Sequence, residues 1–234
     1  MRRILAPLLA LSLVALSFVA AAPRAAHAED TLSPLKFQSQ GALGTIDKAA
    51  AQRGFQVFSS VCAGCHSVSG VHYRDLEALG LTPDQAAGEA AAAGGNLDSA
   101  LKGAAPMDMG GAVPPDLTSI VAQRPGPRYI YDYLTGYAPA PAGVSLLPGH
   151  YYNTAFPGGQ TAMPAALHDG AVTYADGAPT TTAQEAADVA EFLTWTADPN
   201  LDAKHLIGFR AIIFFAFLAI IAIISKRKVW RTSL

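Results

Sequence analysis

Apolar residues recur at helical spacing through much of the central chain. Phe55, Phe58, Val61, Cys62 and Cys65 fall three or four apart, so Thr45 to His66 predicts a helix with one buried face. Asp116 can cap a helix running through Arg124. Pro127 suits the first position of another, with Ile130 and Leu134 inward and Gly136 ending it. Thr182-x-x-Glu185 reads as a capping box opening a further helix. Val189, Phe192, Leu193 and Thr196 share one face of it, with Trp195 adjacent and Pro199 closing the segment. Two stretches break the pattern. Residues 84–111 are rich in Ala and Gly with scattered acids; Leu97 and Leu101 suggest one short helix in an otherwise mobile acidic excursion. Residues 138–181 carry many Gly, Pro and Asn and predict a long irregular loop. The fold class expected is mainly α, a loop-rich domain.

The two ends follow a different pattern. Met1-Arg2-Arg3, an apolar run from Ile4 to Ala22 and Ala26-His27-Ala28 predict a secretory signal peptide over 1–28, of bacterial rather than mitochondrial type. Ala211 to Ile224 is unbroken apolar sequence; with Leu206 to Arg210 it is long enough to cross a bilayer, and Arg210 is close enough to the end to snorkel. Lys226, Arg227, Lys228 and Arg231 follow, with Trp230 among them, which marks a cytoplasmic tail. The expected order is signal 1–28, exported domain 29–205, single C-terminal transmembrane helix 206–225 and tail 226–234. The location that follows is the bacterial inner membrane, with the domain in the periplasm.

Charge sharpens this. Residues 29–205 hold all 18 acidic residues and 8 basic ones, a net of −10 that the whole chain's −2 conceals. So acidic an exported domain argues against nucleic acid or anionic lipid as partner and favours a cationic protein.

The chemistry is concentrated in Cys62-Ala63-Gly64-Cys65-His66, which holds the only two cysteines. Cys-x-x-Cys-His is the attachment signature of a c-type haem. Each thiol can add to a vinyl group, and on a helix both sulfurs and the imidazole share one face. A zinc site would need two more ligands, and a thioredoxin-like pair a βαβ context. The cofactor expected is one haem c, with His66 binding the metal. A methionine opposite histidine raises the iron's potential and blocks other ligands. Met107, Met109 and Met163 are the choices; Pro164 extends the chain at Met163 and tips the balance toward it, while the other two stay open. Arg124 and Tyr129 flank a Pro-Gly turn and are candidates for contacting haem propionates. His72, His150, His168 and His205 are not assigned to iron.

Several motifs in order resemble the cytochrome c1 family, the haem subunit of the ubiquinol–cytochrome c oxidoreductase (bc1) complex. They are Arg53-Gly54-Phe55-Gln56-Val57-Phe58 before the haem motif, Tyr73-Arg74-Asp75-Leu76, Pro114-Pro115-Asp116-Leu117 and Leu134-Thr135-Gly136-Tyr137. Tyr152-Asn153, Phe156-Pro157-Gly158, Ala162-Met163-Pro164, Tyr174-x-Asp176-Gly177, Asp188-Val189 and Phe192-Leu193-x-Trp195 continue the series. Gly208-Phe209-Arg210 opens the anchor and Lys226-Arg227 closes it. The resemblance implies Met163 as distal ligand, and Arg124 and Tyr129 near a propionate. It implies cytochrome b and the Rieske iron–sulfur protein as membrane partners, a cytochrome c as acceptor, and no catalysis by the isolated chain beyond electron transfer. Residues 84–111 match nothing in that pattern. Two other readings stand beside it: an anchored cytochrome c feeding a terminal oxidase, and a haem peroxidase or sensor with an open iron position.

Overall fold

The computed structural model describes residues 35–103 and 112–231, so the expected signal peptide, Met107 and Met109 lie outside the described residues. Six α-helices are described: α1 Lys48–Ser60, α2 Pro83–Ala92, α3 Ile120–Gln123, α4 Pro127–Thr135, α5 Thr182–Ala197 and α6 Leu201–Arg231. Cys62–Gly64 and Tyr73–Leu79 are 3-10 helices. Strand β1 (Val68–His72) pairs antiparallel with β2 (Ala100–Leu101), and β3 (Tyr151–Tyr152) with β4 (Gln160–Thr161). The class is mainly α and loop-rich, as the pattern predicts.

The core is the crossing of α1 and α5. Phe192 sits 5.8 Å from Phe55, 5.6 Å from Phe58 and 5.9 Å from Trp195, ring centre to ring centre, a cluster of tilted rings that buries a large apolar area. Gly54 lets the helices meet: a Cβ there would overlap the Asp188 carbonyl and approach the Cβ of Phe192. Next to it, Arg53 reaches across. Its Nε and Nη2 donate to the two Asp188 oxygens at 3.0 Å, and its Nη1 donates to Asp176 at 2.9 Å. The Tyr174 ring lies 5.8 Å from the guanidinium. This bidentate pair fixes α1, α5 and the loop bearing Asp176 in one arrangement.

A strap from Phe37 to Asp47 binds the base of the domain. The buried Glu191 accepts from the Ser39 hydroxyl at 2.8 Å and the Asp47 N–H at 2.9 Å. Asp202, in the first turn of α6, accepts the Ile46 N–H at 2.8 Å, and His205 Nδ1–H donates to the Gly44 carbonyl at 2.5 Å. The long apolar helix therefore begins inside the hydrogen-bonded domain. It contains the expected span and runs through the basic cluster, where Lys226 packs over Trp230 at 4.7 Å.

Local structure differs from expectation at four places. The first helix stops at Ser60, and the haem motif occupies a 3-10 turn after it. In the described part of the 84–111 stretch, up to residue 103, the helix lies earlier than Leu97: Thr82 and Gln85 form a capping box, Pro83 takes the first position, and α2 results. Leu101 lies in β2, opposite Val68, not on a helix. Asp116 does not cap a helix; α3 starts after Ser119 and has only four residues. Asp116 instead accepts from Ser69 N–H at 2.8 Å and Thr118 N–H at 2.9 Å, because a local turn competes with capping. At α5 the cap is Thr181, which accepts from Gln184 N–H at 3.2 Å. Glu185 turns into the core and accepts the Val172 N–H at 3.1 Å. By contrast α4 runs from Pro127 to Thr135 with Gly136 after it, as expected.

Candidate haem-binding site

The site begins where α1 ends. The 3-10 turn bends the chain so that Cys65 N–H and His66 N–H both donate to the Cys62 carbonyl, at 3.0 and 2.8 Å. The two thiols and the imidazole thus sit on a turn rather than on a continuous helical face. Both cysteines are free and partly accessible, while His66 is buried. Burial pushes the Cys62 thiol up to about 12, and the neighbouring Cys65 adds to the shift. Gly103 closes the turn from outside: a Cβ there would overlap the His66 carbonyl.

His66 has its ring fixed. Nδ1–H donates to the Pro115 carbonyl at 2.7 Å, which leaves the Nε2 lone pair free for a metal. The Pro115 segment is itself pinned, since Leu117 N–H donates to the Ser67 carbonyl at 2.8 Å and Asp116 holds Ser69. Burial works to raise the Asp116 carboxyl. The hydrogen bonds from Thr118 and Ser69 outweigh it and hold the group below its ordinary value.

Arg124 and Tyr129 come together, with the guanidinium 5.8 Å from the ring centre. Arg124 is exposed and Tyr129 buried. Sequence reasoning passed over Arg128, whose Nε is buried with no protein partner. Its position beside Tyr129, in the first turn of α4, was the available signal.

From Tyr129 an aromatic series runs along α4. Tyr129 stacks on Tyr133 at 6.2 Å, and Tyr133 meets Tyr137 edge-on at 5.9 Å and Phe156 at 5.8 Å. The series ends at Met163, half-buried in the loop after β4. Asn153, fully buried, joins that loop to α4: it donates to the Tyr133 carbonyl at 2.7 Å and accepts from the N–H groups of Ala155 and Phe156. The structure thus links Met163 to Arg124 and Tyr129 through one helix, and His66 to the separate Pro115 segment.

These residues fit a haem. The imidazole presents one free nitrogen from a fixed ring, and a buried guanidinium nitrogen lacks an anionic partner, as a carboxylate-bearing cofactor requires. Among the described residues no three His, Cys, Asp or Glu side chains converge as a cage for a bare ion.

A helical domain with such a turn, carried on one membrane-length apolar helix, defines a membrane-anchored c-type cytochrome. The model of the Cytochrome C1 family matches residues 37–102 and 95–233, which together span the whole Ala/Gly-rich stretch 84–111. The chain belongs to the cytochrome c1 family. "Cytochrome c1-2, heme protein, mitochondrial" of Solanum tuberosum is 38% identical over 93% of this chain and 92% of its own length. "Cytochrome c1 1, heme protein, mitochondrial" of Arabidopsis thaliana is 37% identical over 93% and 78%. The bacterial "Cytochrome c1" of Rhodospirillum rubrum is 34% identical over 94% and 96%.

Proposed function

We propose that this chain takes single electrons from the Rieske iron–sulfur protein and passes them to a cationic cytochrome c on the periplasmic side of a bacterial inner membrane. Its class is the haem-carrying electron-transfer subunit of the bc1 complex, whose other members include cytochrome b and the Rieske protein. Its cofactor is haem c. The oxidase-donor and peroxidase readings are not favoured by the family. When bound, haem supplies a one-electron couple at its iron. Cys62 and Cys65 would tether it, and His66 through Nε2 and Met163 through its thioether would hold the iron and keep outside ligands from it. Arg124, Tyr129 and Arg128 offer donors to the propionates. The observation that carries this reading is the His66 ring, buried and locked by Pro115 at the end of a Cys-x-x-Cys-His turn.

Charge supports the 3-10 helix Tyr73–Leu79 and α2 as the docking surface for the acceptor. Residues 73–101 hold five acids (Asp75, Glu77, Asp84, Glu89, Asp98) against Arg74 alone. Arg74 is taken up by an ion pair with Asp98. Glu77 and Asp84 are exposed, and β1 joins this region directly to the haem turn. The experiment is purification of the membrane complex, with a pyridine haemochrome spectrum, and reduction of a basic cytochrome c across a salt series. Covalent haem with a rate that falls steeply with salt is expected. A flat salt profile would remove the acidic docking surface from the reading.

A further inference from the structure

The main chain of Met163 is held at both of its polar groups by side-chain hydroxyls. Its N–H donates to the Thr161 oxygen at 3.2 Å, and its carbonyl accepts the Tyr137 hydroxyl at 3.0 Å. The Thr161 oxygen lies 2.7 Å from the Tyr133 hydroxyl, so the strand residue is itself fixed by α4. Thr161 is buried, which removes water as a competitor for its hydroxyl. Pro164 follows and disfavours the helical conformation at Met163. The rings behind these hydroxyls are packed, Tyr137 on Tyr133 and Tyr133 on Phe156.

A methionine side chain has three rotatable bonds and finds many positions from a loose backbone. Fixing the N–H and the carbonyl together leaves mainly those bonds to be settled on binding, which raises the fraction of chains with sulfur in place. We propose that Tyr137 and Thr161 are positioning residues for the distal iron ligand, acting through the Met163 main chain and not on the haem. This rests on the reading of Met163 as that ligand.

The test uses the intact membrane complex with Tyr137→Phe, Thr161→Val, Thr161→Ser and Met163→Leu. Two readouts are followed: the ferric thioether-to-iron absorption band, and the rate at which the ferrous form takes up carbon monoxide. Tyr137→Phe and Thr161→Val each break one main-chain anchor, so the band weakens and carbon monoxide binds about tenfold faster. Thr161→Ser keeps the hydroxyl and restores both readouts. Met163→Leu abolishes the band outright. Should Tyr137→Phe fail to assemble, the Val and Ser pair at Thr161 decides alone. An unchanged band and slow carbon monoxide uptake in Tyr137→Phe and Thr161→Val would overturn the proposal while Met163 stands as ligand. A serine variant that behaves like valine would overturn it too, because volume rather than the hydroxyl would be operating. A band that survives Met163→Leu would instead remove the ligand reading itself.

Discussion

The two sides of the proposed haem site are built in opposite ways. On the His66 side the ligand's own ring is fixed, five residues hold both tethers and the imidazole, and the supporting carbonyl of Pro115 comes from a segment stitched to Ser67 and Ser69. On the Met163 side the side chain is half-buried, and it is the main chain that is fixed, by Tyr137 just after α4 and by Thr161 of β4. A covalently tethered ring needs only its tautomer and angle set. A flexible thioether needs its starting point set, which takes more of the fold. Charge follows the same division: residues 73–101 beyond the His66 side are acidic, while residues 133–168 around Met163 contain no Asp, Glu, Lys or Arg.

The largest expected effect removes the Met163 side alone. Met163→Leu should keep covalent haem and lower its potential sharply, measured by redox titration of the complex, since a thioether opposite histidine raises the potential. Next comes the crossing that both sides share. Gly54→Ala should cost about 3 kcal/mol, read by denaturant unfolding, because the new methyl meets the Asp188 backbone and not a movable side chain. Equal loosening at His66 and Met163 is expected there; loss confined to one side would break the idea of a common brace. Asn153→Ala should cost about 2 kcal/mol by leaving buried groups of the Met163 loop without partners, with the haem turn intact. The smallest effect belongs to the other side. Asp116→Asn should cost about 1 kcal/mol at neutral pH. The folded Asp116 pKa is depressed, so its contribution is present above the unfolded value and fades as pH falls through the folded one. The variant should therefore lose less stability than the parent on acidification; parallel pH profiles would remove Asp116 from the support of Pro115.

This division also explains what could be read from sequence. The haem motif was legible because its chemistry requires neighbours in the chain. Helix α4 was legible because Pro127 and Gly136 punctuate it locally. Helix α2 was missed although Thr82-Pro83-x-Gln85 announced it, because its small, Ala-rich faces bury little and give no apolar stripe. Asp116 and Glu185 were misread for the same reason as each other. Each has a good local role as a cap, and each is taken by a partner the sequence does not display: Ser69, 47 positions away, and Val172 on a returning loop. The hold of Tyr137 on Met163 spans 26 positions and leaves no periodic trace.

The strap at the base of the domain has one more consequence. With Asp202 and His205 tied to Ile46 and Gly44, no joint separates the domain from α6, whose 31 residues rise about 45 Å. A hydrocarbon layer takes about 30 Å of that. With the span over 206–225, residues 201–205 make a short, stiff pedestal on the domain side, and the domain keeps a set height above the lipid. A carrier that cannot swing must be visited, so the reach and travel needed for electron relay fall to its partners.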